Sequence, residues 1–461
     1  MSGRLVPLTR AQRGVWAAQR LVPEATAFRI GQLVWLDGPI DVVVFADAVE
    51  QAFAESEALR TRFAELDGAA YQSVEEGASL PTTVVDEPAG DDTIRHRART
   101  PYRAVIDVTE PSRSESVLFR RDGGSWAWAF TTHHLVLDAY GLSLFTRRVA
   151  EIYTARLHGA APAPRWFGNL LDVVGAEPAP AADHRLPDDW TSLFAEAEPL
   201  GHAANVRVDE LFKLSQQQVT VPLPADTWGR MQDRARRSRV SWAAYLTGLW
   251  GVYTALGENR RELIVRVPFM MRDDAVALRT PGMLVNSLPI VTRLSGASSL
   301  EEIVHSVAQQ LRTTSRDRNL TEEQVARVWP GGEFDYLCLP VINIKAFDYT
   351  ARFGDVTGRQ ETVNAGPVGR LELVVYSDPV HGSRLELAGH ESLIGPAELA
   401  KHAERFADFV AATLDRDAGT AIIELPDTMT STEQALLDDC GTGAPLEVRS
   451  LTLDGLIRER V

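Results

Sequence analysis

Residues 128–148 read WAFTTHHLVLDAYGLSLFTRR. An apolar run ends at two adjacent histidines, His133 and His134, and Asp138 follows four residues after the second. Alternation up to the histidines predicts a strand, and apolar residues at helical spacing predict a helix over 141–157. His134 would then sit at an element end, where rigid structure holds a side chain at the edge of a cleft. A neutral imidazole can accept a proton from an amine or hydroxyl near physiological pH. An aspartate buried beside it needs a cation of its own. Three readings stand at this point: a catalytic base, a metal site, or two histidines that end a strand. The spacing HHxxxD lacks the glutamate of HExxH and no cysteine lies nearby, which weighs against metal.

The rest of the chain narrows the classes. Its 461 residues are 45% hydrophobic, enough for a substantial core and two to four domains by length. No run of 18 apolar residues predicts a membrane span, and the start, MSGRLVPLTRAQRG, lacks an apolar signal-peptide core. Two cysteines, Cys338 and Cys440, predict no disulfide framework and fit a cytoplasmic protein. A formal charge of -16 argues against nucleic-acid binding, while leaving room for a local basic patch facing an acidic protein partner. There is no GxSxG elbow, no P-loop and no dinucleotide fingerprint after a clear strand.

Pro- and Ala-rich breaks at 159–169 (GAAPAPRWFGN) and 175–190 (GAEPAPAADHRLPDDW) predict a lobe boundary. Patterning predicts strands at 32–38, 114–121, 125–134, 263–270, 339–349 and 370–378. Helices are predicted over 42–63, 141–157, 241–256 and 395–414. The expected class is α/β (α+β type), with lobes at 1–175 and 176–425 and a trailing segment at 426–461.

Several segments in order resemble one family, the condensation domains of nonribosomal peptide synthetases, relatives of chloramphenicol acetyltransferase. Their HHxxxDG signature is matched by HHLVLDA. The segment LTRAQRGVWAAQRL (8–21), with Gln12 and Trp16, resembles the opening motif, and ALRTRF (58–63) the next. VPFMMRDDAVALRTPGMLVNSLPI (267–290), LPVINIKAFDY (339–349) and AGPVGRLEL (365–373) are similar to later ones. Within the family the likeness is to the condensation domain that opens enterobactin-type siderophore synthetases.

The resemblance implies two acetyltransferase-like lobes in a V-shaped pseudo-dimer with the site at their seam. It implies amide formation between a carrier-bound acyl or aryl thioester and a carrier-bound aminoacyl acceptor. Both substrates would arrive on 4'-phosphopantetheine arms, with no cofactor or metal held by the domain itself. His134, His133 and Asp138 would form the catalytic motif, His133 as a packed support for His134. Asp138 would pair with Arg272. Ala139, Gly141, Asn286 and Tyr349 would line the substrate tunnel, with Trp16 and Tyr376 as further cleft aromatics.

Two departures stand out. Ala139 replaces the motif glycine, with Gly141 a candidate for the flexible point, and Arg370 stands where aspartate is common. Residues 432–461 resemble a linker into an adenylation domain, and with Met1 as the start the donor carrier would be a separate protein, an aryl carrier in this subgroup. Competing expectations are a free-standing acyltransferase, an epimerising relative, or a silent recruitment module. Retention of His134 speaks against the last.

Overall fold

In the computed structural model, the strand Trp126–His133 is buried along its whole length, with large and small residues sorted to opposite faces. Trp126, Trp128 and Phe130 enter the main core of the first half, whereas Ala127 and Ala129 lie in a thinner cluster behind it. The helices Val42–Glu55 and Ala139–Leu157 cover the bulky side through Phe45, Val49, Phe53, Phe145 and Val149. The short helix Asp91–Arg99 closes the alanine side with Ile94 and Ala98, where small residues let it approach. The structure describes residues 4–110, 114–177, 186, 188–194, 197–200, 206–316, 320–346, 350–378, 382–426 and 428–441.

This strand is central in a six-stranded sheet. In spatial order the strands are Thr350–Phe353, Val356–Asn364, Arg29–Leu36, Trp126–His133, Glu115–Arg121 and Thr82–Ala89. Only the last pair is parallel. The hairpin between Glu115–Arg121 and Trp126–His133 turns through Gly123 and Gly124, at φ of 83° and 86°. A second six-stranded sheet runs Val285–Arg293, Glu262–Met270, Val341–Lys345, Glu372–Asp378, Gly382–His390 and Gln216–Thr220. One of its faces packs against the apolar helix Trp242–Gly257 and the amphipathic helices Leu300–Arg316 and Pro396–Leu414.

Chain order and sheet membership part at 350–364. After Val341–Lys345 the chain leaves the second sheet and adds two strands to the first. Val356–Asn364 pairs antiparallel with Arg29–Leu36, and the chain then returns to the second sheet as Glu372–Asp378. The chain therefore passes between the two sheets twice within residues 341–378.

The helix expected over 42–63 ends at Glu55. Ser56 turns extended (φ -91°, ψ 115°), Ala58–Arg60 is a single 3-10 turn, and Thr61–Leu66 becomes a strand paired with Ala69–Val74. The basic residues that suggested a helix C-terminus belong to that strand region, where Arg62 meets Glu75 at 3.1 Å. Most of the 175–190 break, residues 347–349 and residues 442–461 lie outside the described residues, so the trailing segment is seen only as far as the helix Ser431–Gly441. No helix among the described residues is long and apolar enough to cross a membrane.

Candidate active site

The two histidines take opposite environments. His133 is the last residue of its strand and is 4% exposed. Its Nδ1 accepts the Leu135 backbone N–H at 3.1 Å, so the ring proton belongs on Nε2, which meets Gln19 Oε1 at 3.1 Å. Both nitrogens are occupied. Burial pushes its pKa down to about 3, helped by His134 and Arg29, and the ring is neutral. This geometry suits a support rather than a reacting group.

His134 lies one residue beyond the strand, held by its backbone N–H to Phe28 O at 2.7 Å. The residue as a whole is partly exposed, while its Nδ1 is buried without a well-aligned hydrogen-bond partner. Burial lowers its pKa; the Asp138 charge and the backbone carbonyls of His134, Leu137 and Ala365 work in the other direction. Gly366, at φ +115°, passes against the ring edge. A Cβ built there would stand 2.8 Å from His134 Cδ2 and 3.1 Å from Nε2. Only glycine adopts that backbone without strain and leaves the imidazole its space.

Asp138 caps the helix Ala139–Leu157, its Oδ1 accepting the Gly141 N–H at 2.7 Å. Arg272, just past the strand Glu262–Met270, donates Nη1 to Oδ2 at 2.8 Å and Nη2 to Oδ1 at 3.0 Å. The Leu284 N–H adds a fourth bond, to Oδ2, at 2.9 Å. Arg272 also donates to Gly282 O and lies 4.8 Å from the Tyr140 ring centroid. One carboxylate thus ties the loop after the histidines to the segment 271–284 of the other half. The bidentate fork and complete use of both carboxylate oxygens offset much of the desolvation cost.

Ala139 sits at the first helical turn with negative φ, which explains why a residue with a Cβ is tolerated there; its methyl forms part of a cavity wall. Gly141 is not a flexible point. It is helical, and a Cβ on it would lie 3.1 Å from Gly282 N and Leu137 Cδ2, so its smallness lets the helix approach the 282 turn. Asn286 lies in the strand Val285–Arg293. Its amide donates to Leu320 O and accepts the Glu322 N–H at 3.2 Å, so both of its polar atoms hold the chain segment 320–322 in place. Tyr349 lies outside the described residues. Trp16 is core, packed 6.4 Å from Phe63. Tyr376 is buried on the face of the second sheet that carries Lys345. Arg370 finds Glu258 at 3.2 Å, so the departure from the usual aspartate has a local carboxylate partner.

Gln12 does more than its place in the opening motif suggested. It completes a capping box with Thr9, donates to Leu135 O at 3.0 Å and interlocks with the Gln72 amide. It therefore holds the loop that carries His134. Gln19, Gly366 and Lys345 were not singled out by sequence. All three lay inside quoted motifs, and for Gly366 and Lys345 the adjacent Gly-Pro and a lysine in an apolar strand were the available signals. Among the described residues no cluster of His, Cys, Asp and Glu is placed to hold a metal ion.

Comparison with known proteins bears on the family and the fold. A condensation domain family model matches residues 3–329. Enterobactin synthase component F of Escherichia coli (strain K12) is 28% identical over 88% of this chain and 32% of its own length. An isonitrile lipopeptide synthase of Streptomyces coeruleorubidus is 30% identical over 83% of the chain and 26% of its own length. A dimodular nonribosomal peptide synthase of Bacillus subtilis (strain 168) is 26% identical over 86% of the chain and 17% of its own length. The chain thus spans a third or less of these relatives. The first condensation domain of the calcium-dependent antibiotic synthetase, solved with a substrate analogue, superposes with a TM-score of 0.81 at 25% identity. That match covers 92% of this chain and 99% of the other. The two-sheet architecture is the chloramphenicol acetyltransferase-like fold of such structures, and the chain belongs to the condensation domains of nonribosomal peptide synthetases, acyltransferases that form amide bonds.

Proposed function

We propose that this domain joins an acyl thioester donor to an aminoacyl acceptor, each delivered on the phosphopantetheine arm of a carrier protein, with His134 beside the reacting amine. The amine nitrogen attacks the thioester carbonyl carbon, the C–S bond breaks, and the departing thiolate takes up a proton. The amine loses one proton along the way. The observation that carries the reading is the contrast between two adjacent imidazoles: His133 has both nitrogens occupied by Leu135 and Gln19, whereas His134 has only loosely aligned backbone carbonyls beside its buried Nδ1. With the proton of neutral His134 on the buried Nδ1, beside backbone carbonyls, the Nε2 lone pair is free for the amine.

Asp138 and Arg272 act at a distance from the chemistry, by fixing the loop that carries His134 to the other half of the molecule. Positioning is itself a large part of the catalysis, since holding two reactants in line supplies about 7–11 kcal/mol of a barrier. The subgroup motifs support a donor carried on a separate protein, an aryl carrier, with the acceptor carrier and an adenylation domain downstream in a cytoplasmic synthetase. The test loads candidate carriers with aryl, fatty-acyl and aminoacyl donors and follows product by mass spectrometry. Carrier-bound amide with one donor class supports the reading. Transfer only to soluble alcohols or amines contradicts it.

A further inference from the structure

We infer that Lys345 is the recognition point for a negatively charged oxygen carried by the acyl part of a substrate, an inference that rests on the amide-forming reading above. Lys345 ends the strand Val341–Lys345 and is 3% exposed. It lines a narrow cavity between the two sheets, opposite Gln360, Thr362 and Asn364 of the strand Val356–Asn364. Ala139, at the positive end of the helix Ala139–Leu157, forms another wall, and Ala365 links the cavity to Gly366 and the His134 ring.

Among the described residues the buried Lys345 side chain has no hydrogen-bond or ion-pair partner. Its contact among the described residues is the Tyr376 ring, whose centroid is 5.2 Å from Nζ. Tyr376 is the register neighbour of Lys345 on the adjoining strand, and Arg384 covers the same ring at 4.5 Å from the next strand along. The two cations differ in burial and in pairing, Arg384 being exposed and Lys345 buried. Arg384 has Glu386 at 3.4 Å, whereas Lys345 makes no ion pair or hydrogen bond among the described residues. A ring face compensates part of a desolvated ammonium but takes none of its N–H donors along a hydrogen-bond direction. Lys345 borders a cavity whose other polar walls include the Gln360 amide and the Thr362 hydroxyl, which can donate to an oxygen ligand, whereas Asn364 has its Nδ2 committed to Ala27 O and Arg29 O and can only accept. Buried charges that persist in folded proteins are paired or coordinated, and the missing pair here is supplied from the cavity.

Binding of matched thioesters tests this without requiring turnover. Succinyl-pantetheine is compared with 4-oxopentanoyl-pantetheine, which has a methyl in place of one carboxylate oxygen. Aspartyl-pantetheine is compared with asparaginyl-pantetheine to distinguish donor from acceptor. Affinities are measured by calorimetry for the wild type and for Lys345→Met, with melting curves for both. The charged member of one pair should bind the wild type about tenfold or more tightly, as expected for a charge-assisted hydrogen bond, and the ratio should fall to near one in Lys345→Met. The responding pair identifies the side. Equal binding within both pairs by the wild type, or a preference that survives Lys345→Met, overturns the inference. A lysine-dependent preference in a domain that makes no amide with any donor leaves this inference standing and removes the reading on which catalysis rests.

Discussion

Arg272 grips Asp138 with both terminal nitrogens, at 2.8 and 3.0 Å, across 134 positions of sequence, and both side chains are almost fully buried. The pair is the fastening between the histidine loop and the other half of the molecule. Removing either partner strands a charge. Asp138→Ala and Arg272→Met should each cost about 3–5 kcal/mol. The double variant should cost clearly less than the sum, because neither charge is then left alone. Urea unfolding of the four proteins checks this, and strictly additive costs would show the pair to be energetically idle.

Acid should unfold this protein partly through His133. Its folded pKa of about 3 lies below the ordinary value of 6.5. Between those values the unfolded chain binds a proton that the native ring does not, so stability is full above 6.5 and is lost as pH falls. The loss is about 1.4 kcal/mol per pH unit for one such group. His402, pushed down to about 4 by burial, adds to the same trend. His133→Gln should remove one proton's share of the slope between pH 6.5 and 4, measured by denaturant unfolding at each pH. An unchanged slope would place His133 in contact with solvent.

Gly366→Ala should damage the reaction more than the fold. The new methyl meets the His134 ring at 2.8 Å, and φ of +115° is strained for alanine. Strain of this kind costs about 1–3 kcal/mol, which leaves the domain folded. Gly68→Ala is the matched control, with φ +77° and nothing within 4 Å of the added Cβ. Both variants should melt earlier, and only Gly366→Ala should slow amide formation, by tenfold or more in single-turnover assays. Equal rates for the two would detach Gly366 from the site.

How much was legible in the sequence follows from which interactions are local. The strand, the helix Ala139–Leu157 and the amphipathic Pro396–Leu414 follow from periodicity, because each is set by neighbours in the chain. The break at Glu55 was hidden, since Ala, Leu and Arg favour a helix and the strand Thr61–Leu66 exists only because Ala69–Val74 pairs with it. The movement of 350–364 into the first sheet was hidden for the same reason, as its partner Arg29–Leu36 is over 300 residues away. The pairing of Asp138 with Arg272 and the place of His134 at a strand end were legible through motif order. Gly366 and Lys345 were not, because their meaning lies in a ring edge and a cavity formed by distant strands.

The central claim is that His134, and not its neighbour, meets the reacting amine. The most direct measurement is the single-turnover rate of amide formation for wild type, His134→Gln and His133→Gln, with both carriers loaded and folding verified by melting. The account predicts a fall of about 10²-fold or more for His134→Gln, the scale of lost proton transfer by a positioned base. For His133→Gln it predicts a smaller loss that tracks stability. A His134→Gln protein that forms amide at the wild-type rate would contradict it.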